Sequence, residues 1–357
     1  MKLGALSTFD TYPTGPDSNG SSRWLEALDL LQVAESEGLS AFWVTEHHFV
    51  ASSALPSPPV WLAAAAQRTS RIRLGALVAV LALHNPRELA EEYALVDALS
   101  GGRLEIGIGT GYIGDEFWGF GQDPGDRREA TNAALPEFLG ALRGDALPAP
   151  GSRNGAVRLN VRPIQRPHPP IWRAAGRRQS VTPIGRSGDR LALVPYACMQ
   201  DIGELCDWVR DYRRGLAPGQ SGRIIVAMHV YVGPKRREGL AALQRFVDTR
   251  PLVYELENSH DSHGGSGPFD AAELCQKGLA AVGDTREVVA VVDALRESGV
   301  TDFAGIFDFG GLPSRDVYAS IRRWVGLVES RTGREPTIAT AFEKVGTLNQ
   351  LGDLRLF

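Results

Sequence analysis

Ile72-Arg73-Leu74-Gly75-Ala76-Leu77-Val78-Ala79-Val80-Leu81 is a near-continuous apolar run, and His84-Asn85-Pro86-Arg87-Glu88-Leu89 follows it after two residues. A strand so uniformly apolar is the kind that a parallel sheet buries on both faces. The segment behind it opens a helix. Asn85 can cap it, Pro86 suits the first helical position, and Glu88 stands where a capping box places its acid. Leu89, Tyr93 and Val96 form the inner stripe of that helix, and Gly101-Gly102 ends it. A strand followed by a capped helix is one β/α unit.

Further units of the same kind lie on both sides. Upstream, Lys2–Ser7 reads as a strand and Ser22–Glu37 as a helix, with Trp24, Leu28 and Leu31 on one face and a stop at Gly38. Ala41–Glu46 reads as the second strand and Ser57–Thr69 as an alanine-rich helix. Downstream, strands are expected at Arg103–Gly109, Ile171–Ala175, Arg190–Pro195, Ile224–Val232 and Phe303–Phe309, with a helix through Leu135–Leu142 and a last one at Ser314–Ser330. Eight such units predict a single (β/α)8 TIM barrel with insertions. A doubly wound Rossmann sheet is the competing arrangement. The barrel domain spans 1–333. Residues 144–170, rich in Gly, Pro and Arg, read as an insertion with a short hairpin, and 334–357 as a C-terminal tail. The stretch 251–268 contains Ser259-His260-Asp261-Ser262-His263-Gly264 and has no periodicity, which predicts a mobile loop.

The composition narrows the function. The chain has 357 residues, 43% of them apolar, with 38 Lys and Arg against 42 Asp and Glu, well mixed. No basic stripe points to nucleic acid. Cys198, Cys206 and Cys275 are too few and too scattered for a disulfide framework or a zinc knuckle. The start, Met1-Lys2-Leu3-Gly4-Ala5-Leu6, turns polar at Ser7, too early for a signal peptide, and no apolar run reaches membrane length. A cytoplasmic protein with no membrane partner is expected.

In a barrel, chemistry sits at the C-terminal ends of the strands. Phe42-Trp43-Val44-Thr45-Glu46-His47-His48-Phe49 delivers three titratable groups to one such end. A histidine there suits acid/base work near neutrality. A buried ion pair of Glu46 with a barrel arginine, or a packed His48, would explain the same residues. Neighbours on a strand point oppositely, so His47 and His48 do not serve one substrate. No metal site is expected, because adjacent histidines are poorly spaced for one ion and no third ligand stands out. His84 ends the third strand. Gly107-Ile108-Gly109-Thr110-Gly111-Tyr112 ends the fourth, its glycines letting a ligand approach the backbone and Thr110 offering a hydroxyl to a phosphate. Tyr112 occupies the third glycine position of a dinucleotide fingerprint, which excludes that motif. Ala175-Gly176-Arg177-Arg178-Gln179-Ser180 ends the fifth strand and could present free helix amides, two arginines and a hydroxyl to an anion.

These residues carry a resemblance. The run from Phe42 to Phe49 resembles a motif of the bacterial luciferase-like flavin monooxygenases. So does the long segment from His84 through Gly101-Gly102-Arg103 and Gly107-Ile108-Gly109-Thr110-Gly111-Tyr112 to Asp115-Glu116-Phe117 and Gly119-Phe120-Gly121. Order and spacing match over residues 40–125, and Val282-Gly283-Asp284 to Gly299-Val300 extends the match. The resemblance implies a TIM barrel with reduced FMN in its mouth, supplied by a separate NAD(P)H:flavin reductase. O2 would add at the flavin C4a position, and the resulting (hydro)peroxide would oxygenate a small substrate. His47 matches the catalytic histidine, with Glu46 beside it near the flavin. Leu77 and Val78 match a segment that carries a non-proline cis peptide under the isoalloxazine. Thr110 stands where many members have a phosphate-binding arginine, and Gly109 where the luciferase catalytic subunit has a cysteine. Arg177 or Arg178, with Ser180, is therefore expected to take over part of the phosphate grip. The alternatives are an F420-dependent oxidoreductase on the same barrel and a non-catalytic flavin-binding accessory subunit. A homodimer follows by analogy. Phe9, Trp61, Trp118 and Phe309 suggest a hydrophobic substrate pocket.

Overall fold

The structure is a computed structural model that describes residues 1–12, 21–50, 53–249 and 269–332. The loop expected at 251–268 and the tail at 334–357 lie outside the described residues. Eight strands form the barrel: β1 (Lys2–Ser7), β2 (Ala41–Val44), β3 (Arg73–Val80), β4 (Leu104–Gly109), β5 (Ile171–Ala174), β6 (Arg190–Leu193), β7 (Ile224–Val232) and β8 (Asp302–Ile306). Each pairs in parallel with the next, and β8 closes on β1 with Lys2 opposite Asp302. That closure excludes the Rossmann sheet. A short strand, Ala281–Gly283, adds to the end of β7.

The helix layer contains α1 (Ser21–Ser36), α2 (Pro58–Arg68), α3 (Pro86–Leu99), α4 (Gly114–Gly119), α5 (Arg127–Arg143), α6 (Val181–Ser187), α7 (Leu205–Gly215), α8 (Arg236–Asp248), α9 (Thr285–Glu297) and α10 (Ser314–Thr332). The start of α3 forms as its sequence dictates: Asn85 caps it by accepting from the N–H groups of Arg87 and Glu88, with Pro86 behind the cap. The insertion holds an antiparallel hairpin, Leu147–Pro148 against Ala156–Val157. No helix among the described residues is long and apolar enough to cross a membrane.

Period-two alternation decides which side chains fill the barrel. In β2, Phe42 faces the helices and stacks on Trp61 of α2, with centroids 5.8 Å apart. Trp43 faces inward and meets Trp172 of β5 edge-on at 5.8 Å. Gly75 of β3 lies opposite Trp43, and a Cβ there would stand 2.4 Å from the indole. Below the tryptophans, buried Glu105 closes the barrel floor. It accepts from Arg73, from Trp172 Nε1 at 2.6 Å and from Arg190 at 2.9 Å. Arg223 pairs with Asp302 beside it.

Candidate active site

β2 leaves the ladder at Val44, two residues before the predicted end, so Glu46, His47 and His48 turn over the barrel rim. Their side chains diverge into two networks. His47 lies against the end of β4 and α4. Its N–H donates to the Leu55 carbonyl at 3.0 Å, and its ring stands edge-on to Tyr112 with centroids 6.0 Å apart. Its Nδ1 lies 2.9 Å from Glu116 Oε1 on α4, and the same oxygen accepts from the His48 N–H at 3.0 Å. His47 is 8% exposed and Glu116 is 1%. With Glu116 ionised, Nδ1 carries the proton and Nε2 keeps its lone pair.

Glu46 turns the other way. Its Oε1 lies 3.2 Å from His48 Nε2 and 2.8 Å from His84 Nε2, while Oε2 accepts from the Val80 N–H at 3.3 Å. Burial alone would raise the Glu46 pKa, but hydrogen bonds from His48 and His84 outweigh it and hold the carboxyl below its ordinary value. At His84 burial disfavours the charged ring, yet the hydrogen bond and charge of Glu46, with Glu92 and Glu88 nearby, raise its pKa. Burial also lifts Glu92, helped by repulsion from Glu88 and Glu46 against the opposing pull of His84. The sequence reading found no third ligand beside Glu46 and a histidine. The fold supplies one, since ligand atoms of Glu46, His48 and His84 all lie within 4.8 Å of one another.

The neighbouring strand ends pack closely on one another. The Leu77–Val78 peptide is cis, at a register shift in the β3–β4 pairing between Ala76 and Ala79. The Val78 side chain covers β4. A Cβ on Gly109 would lie 2.4 Å from Val78 Cγ2, so a cysteine does not fit there without displacing it. Thr110 is half-buried, its hydroxyl 3.4 Å from the Gly111 carbonyl, and Gly111 takes φ +70° into Tyr112.

The expected anion site after β5 is only partly assembled. Ala175 is buried and donates to Ala192 of β6 at 3.1 Å, and Gly176 follows it exposed. A 3-10 turn, Arg178–Ser180, then leads into the seven-residue α6, so the Ser180 N–H is already spent on the Arg177 carbonyl at 3.0 Å. Arg178 is drawn to the outer surface, with Asp211 at 2.7 Å and Asp207 at 3.2 Å on α7. The two carboxylates stand one helical turn apart on α7 and hold the guanidinium between them. Arg177 is half-buried and forms no ion pair among the described residues. Of the expected pocket aromatics, Phe9, Trp61 and Phe309 are packing residues at 1%, 5% and 0% exposure, whereas Trp118 is 60% exposed.

Residues 1–302 match the family model described as luciferase-like monooxygenase. The chain is 33% identical over 313 residues to the uncharacterized protein y4wF of Sinorhizobium fredii, covering 83% of this chain and 89% of that protein. It is 25% identical to the oxygenase component of the flavin-dependent trigonelline monooxygenase of Acinetobacter baylyi, across 80% of this chain and 83% of that one. Among solved structures it is similar to monooxygenase RslO1 from Streptomyces bottropensis, at 26% identity and TM-score 0.77, over 93% of this chain and all of that one.

Proposed function

The chain belongs to the luciferase-like monooxygenase family, and we propose that it is the oxygenase of a two-component system. It takes reduced FMN from a separate NAD(P)H:flavin reductase and uses O2 to oxygenate a small, hydrophobic organic substrate. The observation that carries this reading is the buried His47–Glu116 pair, 2.9 Å apart, at the rim beside the apolar cover that Val78 lays over β4. The relative named as an oxygenase component supports the division of labour with a reductase.

The residues present fit such a cofactor. Gly107 and Gly109 let the Leu77 and Val78 side chains lie directly over β4, so an isoalloxazine would rest on those apolar side chains. Thr110 and the unpaired Arg177 are the groups for the phosphate, in place of Arg178. Bound reduced FMN supplies the electrons that activate O2. Glu116 orients His47 and fixes its tautomer, so that Nε2 can take a proton from the reacting centre and return it. Burial of the pair keeps bulk water from short-circuiting that transfer. Glu46 stands behind His47 and holds His48, His84 and the backbone of β3 rather than facing the mouth.

Turnover of the purified chain with reduced FMN, O2 and a panel of apolar substrates tests the proposal. His47→Ala should lower the rate by about 10²–10⁴-fold with FMN still bound. Spectral titration with FMN and F420 decides the cofactor: saturation by F420 alone would replace oxygenation by hydride transfer. FMN binding without turnover on any substrate would favour an accessory subunit. A homodimer and a cytoplasmic location belong to the same proposal, the first checked by sedimentation.

A further inference from the structure

We propose that Glu46, His48 and His84 form a binding site for one divalent metal ion of the zinc class. The site is separate from His47 and does not rest on the flavin reading.

The ligand set is two imidazoles and a carboxylate, which suits zinc and its neighbours rather than magnesium or calcium. Zinc takes such ligands at about 2.0–2.2 Å in tetrahedral geometry, which sets ligand atoms roughly 3.3–3.6 Å apart. Here Glu46 Oε1 lies 3.2 Å from His48 Nε2 and 2.8 Å from His84 Nε2, and all three groups fall within 4.8 Å. Shifts of a few tenths of an ångström open the cluster to an ion. Each Nε2 then presents its lone pair, and the proton it shares with the carboxylate moves to Nδ1 of that ring or to solvent.

The surroundings are built for a cation. Glu46 is anchored through Oε2 by the Val80 N–H, and the His48 ring is set edge-on against Phe120 with centroids 4.9 Å apart. Such outer contacts aim ligands before an ion arrives. His84 is 24% exposed, which provides access and an open fourth position for water. Glu88 and Glu92 of α3 also act on His84, and neither forms an ion pair among the described residues. Their charge adds to that of Glu46 beside His84, and a divalent ion would offset it. Occupancy would tie the end of β2 to the turn that precedes α3, directly behind His47.

Metal-stripped protein titrated with Zn2+ by calorimetry and with Co2+ by visible absorption tests this. The expected result is one ion per chain, tetrahedral Co2+ bands and a higher Tm with Zn2+. His84→Gln keeps a donor for Glu46 but removes an imidazole, so it should fold and lose the Co2+ bands. Glu46→Gln should lose them as well, and Glu116→Gln should keep them. No saturable binding to the wild-type chain overturns the proposal. So does an unchanged Co2+ spectrum in His84→Gln, or loss of binding in Glu116→Gln.

Discussion

His47 and His48 are adjacent in the chain and do unrelated work. A different carboxylate meets each ring: Glu116 the first, Glu46 the second. The Glu116 oxygen fixes the tautomer of His47. Glu116→Gln keeps an acceptor there. It should lower kcat less than His47→Ala does, which steady-state kinetics would show. A second buried acid behaves differently. Burial pushes Asp308 up to about 6 from 3.8, with Asp10 adding repulsion and the hydrogen bond from Ser7 opposing. A raised acid makes the native state hold its proton harder than the unfolded chain, so stability falls as pH climbs from 3.8 through 6. Asp308→Asn should remove that loss. Urea unfolding of the two proteins should show a gap that widens as pH rises through 6 and stays open above it.

Local rules account for the elements. Most of the β3–α3 unit was legible, because its strand is almost wholly apolar and its helix carries both cap and stop; the 3-10 turn Leu81–Leu83 between them was not, and Glu88 completes no capping box among the described residues. α5 was legible only from Leu135 to Leu142, although it runs from Arg127 to Arg143. Its first turns are polar, and Pro136 lies inside it, so the 3.6-residue stripe is confined to the later half. α4 escaped for a related reason: six residues are too few to show a period, so Glu116 remained part of a motif without a role. The acids that hold Arg178 lie on α7, and no inspection of the β5 end reveals them. At the β3–β4 junction a single methyl matters. Gly109→Ala would place a carbon 2.4 Å from Val78 Cγ2 and push that side chain into the space above β4. Weakened FMN binding with little change in far-UV circular dichroism is expected, and flavin fluorescence quenching measures it.

The whole barrel depends on groups that meet only after closure. Glu105 is 2% exposed and answers Arg73, Arg190 and Trp172 from three other strands. Glu105→Ala would leave those arginines facing one another across the floor. A loss of about 3–5 kcal/mol is expected, as for other buried ion pairs broken from one side, and equilibrium unfolding in urea would register it. The sequence by itself determined the number and order of the β/α units, since apolar period and capping chemistry act within a few residues. It also placed Glu46 and His47 at the C-terminal rim, because that end of a parallel strand is where the chain leaves the sheet. Only the tertiary structure decided which carboxylate meets which histidine ring, that His84 completes the cluster of Glu46 and His48, and that Arg178 pairs with acids of α7. The pairs His47–Glu116, Glu46–His84 and Arg178–Asp211 join residues 69, 38 and 33 positions apart. Hydrogen bonds and charge act over a few ångströms of space, and only barrel closure brings such distant positions within that range.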